Sequence, residues 1–212
     1  MELVPSIISQ TFSGVEDKLQ LLEGQVNWAH LDIMDGRFAK IRSWQVASDL
    51  DFISGQIKLE AHLMVEKPEE IISAWAQVVD RVIVHAEAAA DIKELIAVFS
   101  NHHTQLGVAL LLETPVEVLT KYLSVLKFVH LMSVAEIGYH GKKFESKVLA
   151  KIKTLRALAP SVTISVDGGI NLENIKKVLA AGADRVVVGG TIWNSPDPIK
   201  TIHQFQKLFH VK

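Results

Sequence analysis

Two histidines and two aspartates lie at or near the ends of apolar, strand-like segments. His30 and Asp32 are two residues apart in the segment Trp28–Met34, so on a strand both side chains point to the same face. His62 lies in the next such segment, in Ala-His-Leu-Met, and Asp167 lies in Val-Asp-Gly-Gly further along the chain. If these segments are neighbouring strands of a barrel, two imidazoles and two carboxylates converge on one point. Such a mixed nitrogen and oxygen set can hold a divalent transition metal.

Two carboxylates beside a metal ion also suit a particular kind of chemistry, in which a proton leaves one face of a carbon and another arrives on the opposite face. A proton next to a ketone is only weakly acidic, and a metal bound to the carbonyl and a neighbouring hydroxyl oxygen can stabilise the enediolate that forms. Epimerisation then needs a base on one face and an acid on the other, and two carboxylates on different strands can supply both. Because such a reaction runs both ways, one carboxyl group should start ionised and the other protonated.

Length, charge and cysteine content exclude several classes of protein. The chain has 212 residues, a size that α/β barrels commonly reach as one domain, and its formal net charge of −2 does not suggest a nucleic-acid or membrane surface. It contains no cysteine, which excludes disulfides, thiolate nucleophiles and cysteine metal sites. No apolar run reaches the roughly 20 residues of a membrane span, and the first residues lack the basic start and apolar core of a signal peptide. We therefore expect a cytoplasmic protein.

Eight strand-like segments alternate with helical patterns, and several are nearly continuous in Val, Ile and Leu, as strands covered on both faces are. Pro115–Leu123 and Ser146–Leu158 have helical spacing, while Asn171 and Gly182 are expected to cap a further helix at its two ends. This alternation favours a single (β/α)8 TIM barrel over residues 1–212. The predicted strands are Leu3–Ile8, Trp28–Met34, Ile57–Met64, Arg81–His85, Gln105–Leu111, Phe128–Met132, Val162–Val166 and Arg185–Val188.

Six motifs, in order and each at the corresponding predicted strand, resemble those of the ribulose-phosphate 3-epimerase family. The resemblance runs from Val4 to about Trp193, nearly the whole chain. Each motif alone is a weak signal, but together they are a strong one. The motifs are Pro-Ser-Ile-Ile-Ser from residue 5, His-Leu-Asp-Ile-Met-Asp-Gly from residue 30, His-Leu-Met from residue 62, His-Ala-Glu from residue 85, Met-Ser-Val from residue 132 and Val-Asp-Gly-Gly from residue 166.

The resemblance implies a role for each matching residue. In this family one divalent ion is held by the residues that match His30, Asp32, His62 and Asp167, and the two aspartates are also the catalytic acid/base pair. This ligand set suits several metals, so the sequence leaves open whether the ion is Zn, Fe(II), Mn or Co. The implied substrate-binding set is Ser6, His62, Met34, Met64 and Met132 around the sugar, with the backbone of Gly138, Gly141, Gly168, Gly169, Gly189 and Gly190 around the phosphate.

The loops that would close over a sugar phosphate depart from the family pattern. The family's sixth loop usually reads Pro-Gly-Phe-Gly-Gly-Gln, whereas Glu136–Lys142 lacks the proline and one glycine and is one residue longer. After Met-Asp-Gly the family usually continues His-Phe-Val-Pro-Asn, and this chain has Arg-Phe-Ala-Lys-Ile. Lys142, Lys143 or His140 either replace the lost amide contacts or are solvated. The glycine pairs after the seventh and eighth strands could likewise be only tight turns, although barrel enzymes often hold phosphate there.

Three functional hypotheses follow from these observations. The leading one is a metal-dependent epimerase that interconverts D-ribulose 5-phosphate and D-xylulose 5-phosphate. The altered loops motivate a second, the same chemistry on a related ketose phosphate such as a hexulose 6-phosphate. A third is a barrel without catalytic activity that binds a phosphorylated ligand. By analogy with the family, we also expect a homo-oligomer.

Overall fold

Runs of Val, Ile and Leu form the eight strands of a closed barrel, in which each strand is parallel to its neighbours and strand order follows the sequence. The computed structural model describes residues 1–209, so the last three residues of the predicted domain lie outside the described part. The predicted barrel is confirmed, and each predicted strand agrees with the structure to within one residue at either end. The strands are β1 (Glu2–Ile7), β2 (Trp28–Met34), β3 (Lys58–Met64), β4 (Arg81–His85), β5 (Gln105–Leu110), β6 (Phe128–Met132), β7 (Thr163–Asp167) and β8 (Arg185–Val188).

Helices connect the strands and cover the outside of the barrel. The predicted helix at 115–123 is a 3₁₀ helix over Val116–Tyr122, with Pro115 directly before it. The predicted cap Asn171 accepts hydrogen bonds from the amides of residues 173 and 174, but the regular helix begins later, at Ile175. The α-helices are α1 (Phe12–Leu22), α2 (Ile72–Trp75), α3 (Ile92–Phe99), α4 (Lys147–Leu158), α5 (Ile175–Ala180), α6 (Gly190–Trp193) and α7 (Pro198–Phe209), and two further 3₁₀ helices span Ala47–Phe52 and Pro68–Glu70. Within residues 1–209, none of the helices has the length and apolar character needed to cross a membrane.

An ion-pair network fills the barrel interior near the start of the strands. The Glu60 side chain is fully buried and accepts hydrogen bonds from Arg81 Nη1 at 2.6 Å and Arg185 Nη1 at 2.8 Å. The Arg81 guanidinium also lies 4.3 Å from the centre of the Trp28 ring and 4.1 Å from that of Phe128. Two cations therefore share one buried carboxylate and stack on aromatic rings, which compensates for their removal from water.

Candidate active site

Strand register brings the predicted ligands on β2 and β3 together. Asp32 pairs with His62 across these two strands, and His30 lies two residues before Asp32 on the same face. The Asp32 Oδ1 atom is 3.3 Å from His30 Nε2 and 3.3 Å from His62 Nδ1. Two ligands of one tetrahedral ion, each bound at about 2.0–2.1 Å, are separated by about 3.3 Å. Asp167 at the end of β7 offers an oxygen within 4.8 Å of both imidazoles. Asp32 contacts the same two imidazoles, although the group of mutually close donor atoms contains His130 and not Asp32.

The surroundings of His30 fit a bound cation. Its Nδ1 atom lies 2.8 Å from the buried carboxylate of Glu60, so this nitrogen donates and Nε2 faces Asp32. Nε2 is buried and has no hydrogen-bond partner among the described residues. Burial disfavours a charged imidazole, but the carboxylates of Asp32 and Glu60 outweigh it and raise the pKa of His30 to about 10. The position between Nε2 and Asp32 thus favours positive charge, whether a proton or a metal ion supplies it.

A chain of side chains orients the second imidazole. The Nε2 atom of His62 is 2.9 Å from His85 Nε2, and His85 Nδ1 is 3.3 Å from Glu87 Oε2. Because Glu87 can only accept when ionised, His85 donates to it through Nδ1 and accepts from His62 through Nε2. This assignment leaves His62 Nδ1 with a lone pair that points toward Asp32. Burial, with the neighbouring imidazoles, lowers the pKa of His62 to about 3, so this ring is neutral and can bind a metal.

The two carboxyl groups differ in proton affinity. Burial favours the neutral acid at Asp32, but the charge of His30 outweighs it and holds the pKa of this carboxyl well below its usual range. Burial and the nearby charge of Asp32 raise the pKa of Asp167 to about 6. The direction of this difference is the one expected for a base that starts ionised and an acid that starts protonated.

A cavity opens above these residues at the carboxyl ends of the strands. Both aspartates line it, and so do Ser6, Met64 and Met132. Its rim is formed by the six glycines that the sequence analysis associated with phosphate, namely Gly138, Gly141, Gly168, Gly169, Gly189 and Gly190. His62 and Met34 are fully buried beneath the cavity, so the structure offers no exposed surface of either for direct contact with a sugar.

Glycines allow the sixth loop to lie against the turns after β7 and β8. Gly169 has a φ of +64°, and a β-carbon there would come within 2.6 Å of the backbone at residues 142 and 144. A β-carbon on Gly190 would lie 2.6 Å from the amide nitrogen of Gly141. These two positions therefore exclude any side chain, because the opposing atoms are backbone. The close approach encloses the end of the cavity where the amides of both turns are found.

Two side chains of the sixth loop, His140 and Lys142, line the cavity. His140 lies over Gly189 and places Nε2 3.3 Å from Ser6 Oγ, at the cavity wall. Lys142 also lines the cavity, but its ammonium group is 2.6 Å from Glu136, which in turn lies 3.1 Å from Lys40. The charge of Lys142 is thus partly neutralised within the loop. His140 is therefore better placed than Lys142 to contact a ligand.

One histidine of this cluster was missed by the sequence analysis. His130 on β6 belongs to the group of possible metal ligands formed with His30, His62 and Asp167, and it is fully buried. The signal that could have found it is its position two residues before Met132, which puts both on the face that points into the barrel. Glu60 was also missed, since an acidic residue near the start of a strand usually indicates an exposed strand end.

Comparison with known proteins places the chain in a family. The sequence profile of the ribulose-phosphate 3 epimerase family matches residues 2–193. The ribulose-phosphate 3-epimerase of Bacillus subtilis (strain 168) is 32% identical over 214 aligned residues, which cover 97% of this chain and 98% of that protein. The ribulose-phosphate 3-epimerase of Synechocystis sp. is 31% identical and covers 94% of this chain and 90% of its own length.

Solved structures share the fold at lower sequence identity. A 3-hexulose-6-phosphate synthase superposes with a TM-score of 0.71 and 20% identity, covering 98% of this chain and 99% of its own. A phosphoribosyl anthranilate isomerase from Thermococcus kodakaraensis gives a TM-score of 0.65 at 15% identity over the full length of both chains. At this identity the likeness concerns the barrel alone.

Proposed function

The chain belongs to the ribulose-phosphate 3-epimerase family and is an isomerase, and from this premise we propose that it interconverts D-ribulose 5-phosphate and D-xylulose 5-phosphate. The observation that carries the proposal is the placement of Asp32 and Asp167. These carboxyl groups come from different strands, line one cavity and differ in proton affinity in the sense that two-sided proton transfer requires.

A divalent ion completes the proposed site. His30, His62 and the two aspartates would hold it, and the unpartnered Nε2 of His30 together with the 3.3 Å spacings supports this assignment. When bound, the ion supplies positive charge to the oxygens on which negative charge develops after loss of the C3 proton. Zn, Fe(II), Mn and Co all suit such donors.

The two aspartates move the proton. Asp32 starts ionised and takes the proton from C3 on one face of the substrate, which leaves a planar enediolate. Asp167 holds a proton and delivers it to C3 on the opposite face, and the reverse reaction exchanges these roles. Met64 and Met132 line the same cavity and exclude water while adapting to the change from a tetrahedral to a flat carbon.

The phosphate is proposed to bind between β7 and β8. The pairs Gly168–Gly169 and Gly189–Gly190 line that end of the cavity. Oriented backbone amides are effective donors to phosphate oxygens, and a glycine lets the anion approach the backbone closely. The segment 136–143 then acts as a lid whose side chains adjust affinity.

Substrate length distinguishes the pentulose from the hexulose alternative. His140 packs against Ser6 and Gly189 and forms part of the cavity wall, and the relatives at 31–32% identity are ribulose-phosphate 3-epimerases, which supports the pentulose. The test is the turnover of D-ribulose 5-phosphate and of a hexulose 6-phosphate by the metal-loaded enzyme, followed by NMR. Faster turnover of the pentulose supports the proposal, and faster turnover of the hexulose contradicts it. Binding without turnover of either sugar would favour the non-catalytic alternative.

The oligomeric state and the cellular location of the protein remain predictions from the sequence. A homo-oligomer would be tested by sedimentation of the purified chain, and a cytoplasmic location by fractionation of cells that express it. Neither prediction affects the chemistry above, since every residue proposed to act comes from one chain.

A further inference from the structure

His130 is a buried imidazole with no hydrogen-bonding role among the described residues. It lies on β6, its side chain points into the barrel, and none of it is exposed to solvent. Neither Nδ1 nor Nε2 has a hydrogen-bond partner among the described residues. Buried polar groups in native proteins almost always have a partner, so a ring with two unpaired nitrogens calls for one that is not a protein atom.

The side chain of His130 lies among the proposed metal ligands. Its ring centre lies 4.7 Å from that of His62 and 5.3 Å from that of His30. Its Nε2 atom is 3.5 Å from Asp167 Oδ2, which is beyond the usual length of an N–H···O hydrogen bond. The separation is instead one that two ligands of the same ion can have, since ligands bound at about 2.0–2.2 Å lie about 3.0–3.6 Å apart. One donor atom from each of these four residues lies within 4.8 Å of every other.

We propose that His130 is a further ligand of the ion held by His30, His62 and the two aspartates, so that three imidazoles bind the metal. The inference rests on the proposed metal site and extends it to a residue outside the set that the sequence indicated. It gives the buried Nε2 a partner and explains why a polar side chain stands in the middle of the apolar strand Phe128–Met132.

A third imidazole has a consequence for metal selectivity. Imidazole nitrogens favour later first-row metals such as Co(II) and Zn(II), whereas carboxylates and water suit Mn(II). Three nitrogen donors should therefore increase the preference for Zn(II) over Mn(II) relative to a site with two. Removal of His130 should weaken Zn(II) binding more than Mn(II) binding.

The direct test is X-ray absorption spectroscopy of the wild-type protein loaded with Zn(II). The multiple-scattering pattern of imidazole rings counts the bound histidines. Three histidines per ion support the inference, and two overturn it. A wild-type protein that binds no Zn(II) overturns it as well. This measurement needs no variant and no substrate.

Variants supply a second test with a matched control. His130→Leu and His130→Gln should lower Zn(II) affinity by at least about 10- to 100-fold, the loss that even an outer-shell partner can cause. Both should also change the visible absorption of the Co(II)-loaded protein, which reports its coordination. Ser165→Ala is the control, because Ser165 pairs with His130 in register, is equally buried and has an unpaired hydroxyl. The control should bind Zn(II) and Co(II) as the wild type does.

The outcomes separate this inference from the proposed function. If folded His130→Gln matched the wild type in Zn(II) affinity and Co(II) spectrum, His130 would not be a ligand, although epimerase activity would still support the function. If spectroscopy counted three histidines but the enzyme failed to epimerise a ketose phosphate, the function would fail and the ligand assignment would stand. A hydrogen bond from His130 to Asp167 alone would leave two histidines on the ion, which overturns the inference.

Discussion

Replacement of Asp167 by Asn should stabilise the metal-free protein at pH 8. The pKa of this carboxyl rises from the ordinary 3.8 to about 6, because burial and the charge of Asp32 disfavour its ionised form. Above pH 6 the folded state therefore carries an ionised group that costs up to about 3 kcal/mol, since each tenfold change in proton affinity is about 1.4 kcal/mol. The side chain is 13% exposed, which lets solvent relieve part of this cost. We expect Asp167→Asn to raise the free energy of unfolding by about 1–3 kcal/mol. For a chain of this size, each kcal/mol raises Tm by about 2–4 °C.

The dependence of this gain on pH follows from the sign of the pKa change. Because the folded state binds the proton of Asp167 more tightly than the unfolded state does, wild-type stability falls as pH rises from about 4 to about 6. The advantage of Asp167→Asn should thus be complete at pH 8 and disappear near pH 4. Asp32→Asn is the matched control and should have the opposite sign, because the charged His30 stabilises the Asp32 carboxylate.

Urea unfolding of the chelated proteins, followed by circular dichroism, measures both effects. In the presence of Zn(II) the order should reverse, since Asp167→Asn removes a proposed ligand and with it the stabilisation that comes from metal binding. An Asp167→Asn protein that was less stable than wild type when metal-free at pH 8 would refute the reasoning. A gain that persisted unchanged at pH 4 would refute it too.

Three further predictions concern the support of the site and its phosphate end. Glu60→Gln should lower the free energy of unfolding in urea by about 3–5 kcal/mol, because two guanidinium groups lose their buried counter-charge. The same variant should weaken Zn(II) binding about 10- to 100-fold. Unchanged Zn(II) binding would argue against a role for Glu60 in orienting His30. Gly190→Asp should lower kcat/KM at least about 100-fold, since its β-carbon must displace the backbone of Gly141 and its carboxylate repels the phosphate proposed to bind there. Lys142→Ala with Lys143→Ala should raise KM several-fold with little change in kcat, because Lys142 lines the cavity and Glu136 neutralises its charge only in part. If the Gly190 variant kept normal kinetics while the lysine variant was inactive, the phosphate assignment would have to be reversed.

The barrel could be predicted from the sequence because its strands are buried on both faces. Such strands are nearly continuous in aliphatic residues, as in 185–188, and each is bounded by polar turns. The convergence of His30, Asp32, His62 and Asp167 could also be predicted, since parallel strands of a barrel end at one rim. Both inferences use only local patterns and the fixed geometry of a barrel.

Other parts of the site depend on contacts between distant residues. Single charged residues lie near the starts of three strands, at Glu60, Arg81 and Arg185. The sequence near each of them does not show that their side chains meet inside the barrel. His140 and Ser6 are 134 residues apart in the sequence, so the sequence of the altered loop could not indicate that their side chains are in contact. The single His130 within an apolar strand resembles a core position until the neighbouring strands are placed beside it.

In the proposed mechanism, two carboxyl groups on opposite faces of the substrate transfer the proton at C3. The most direct measurement is the conversion of D-ribulose 5-phosphate in heavy water by the metal-loaded enzyme, with the product examined by NMR. The proton taken by one aspartate is not the one delivered by the other, so the account predicts solvent deuterium at C3 of the product. Asp32→Asn and Asp167→Asn should each abolish net epimerisation in the same assay. Product that formed at the normal rate without deuterium at C3 would contradict the account, because it would require the original hydrogen to return by another route.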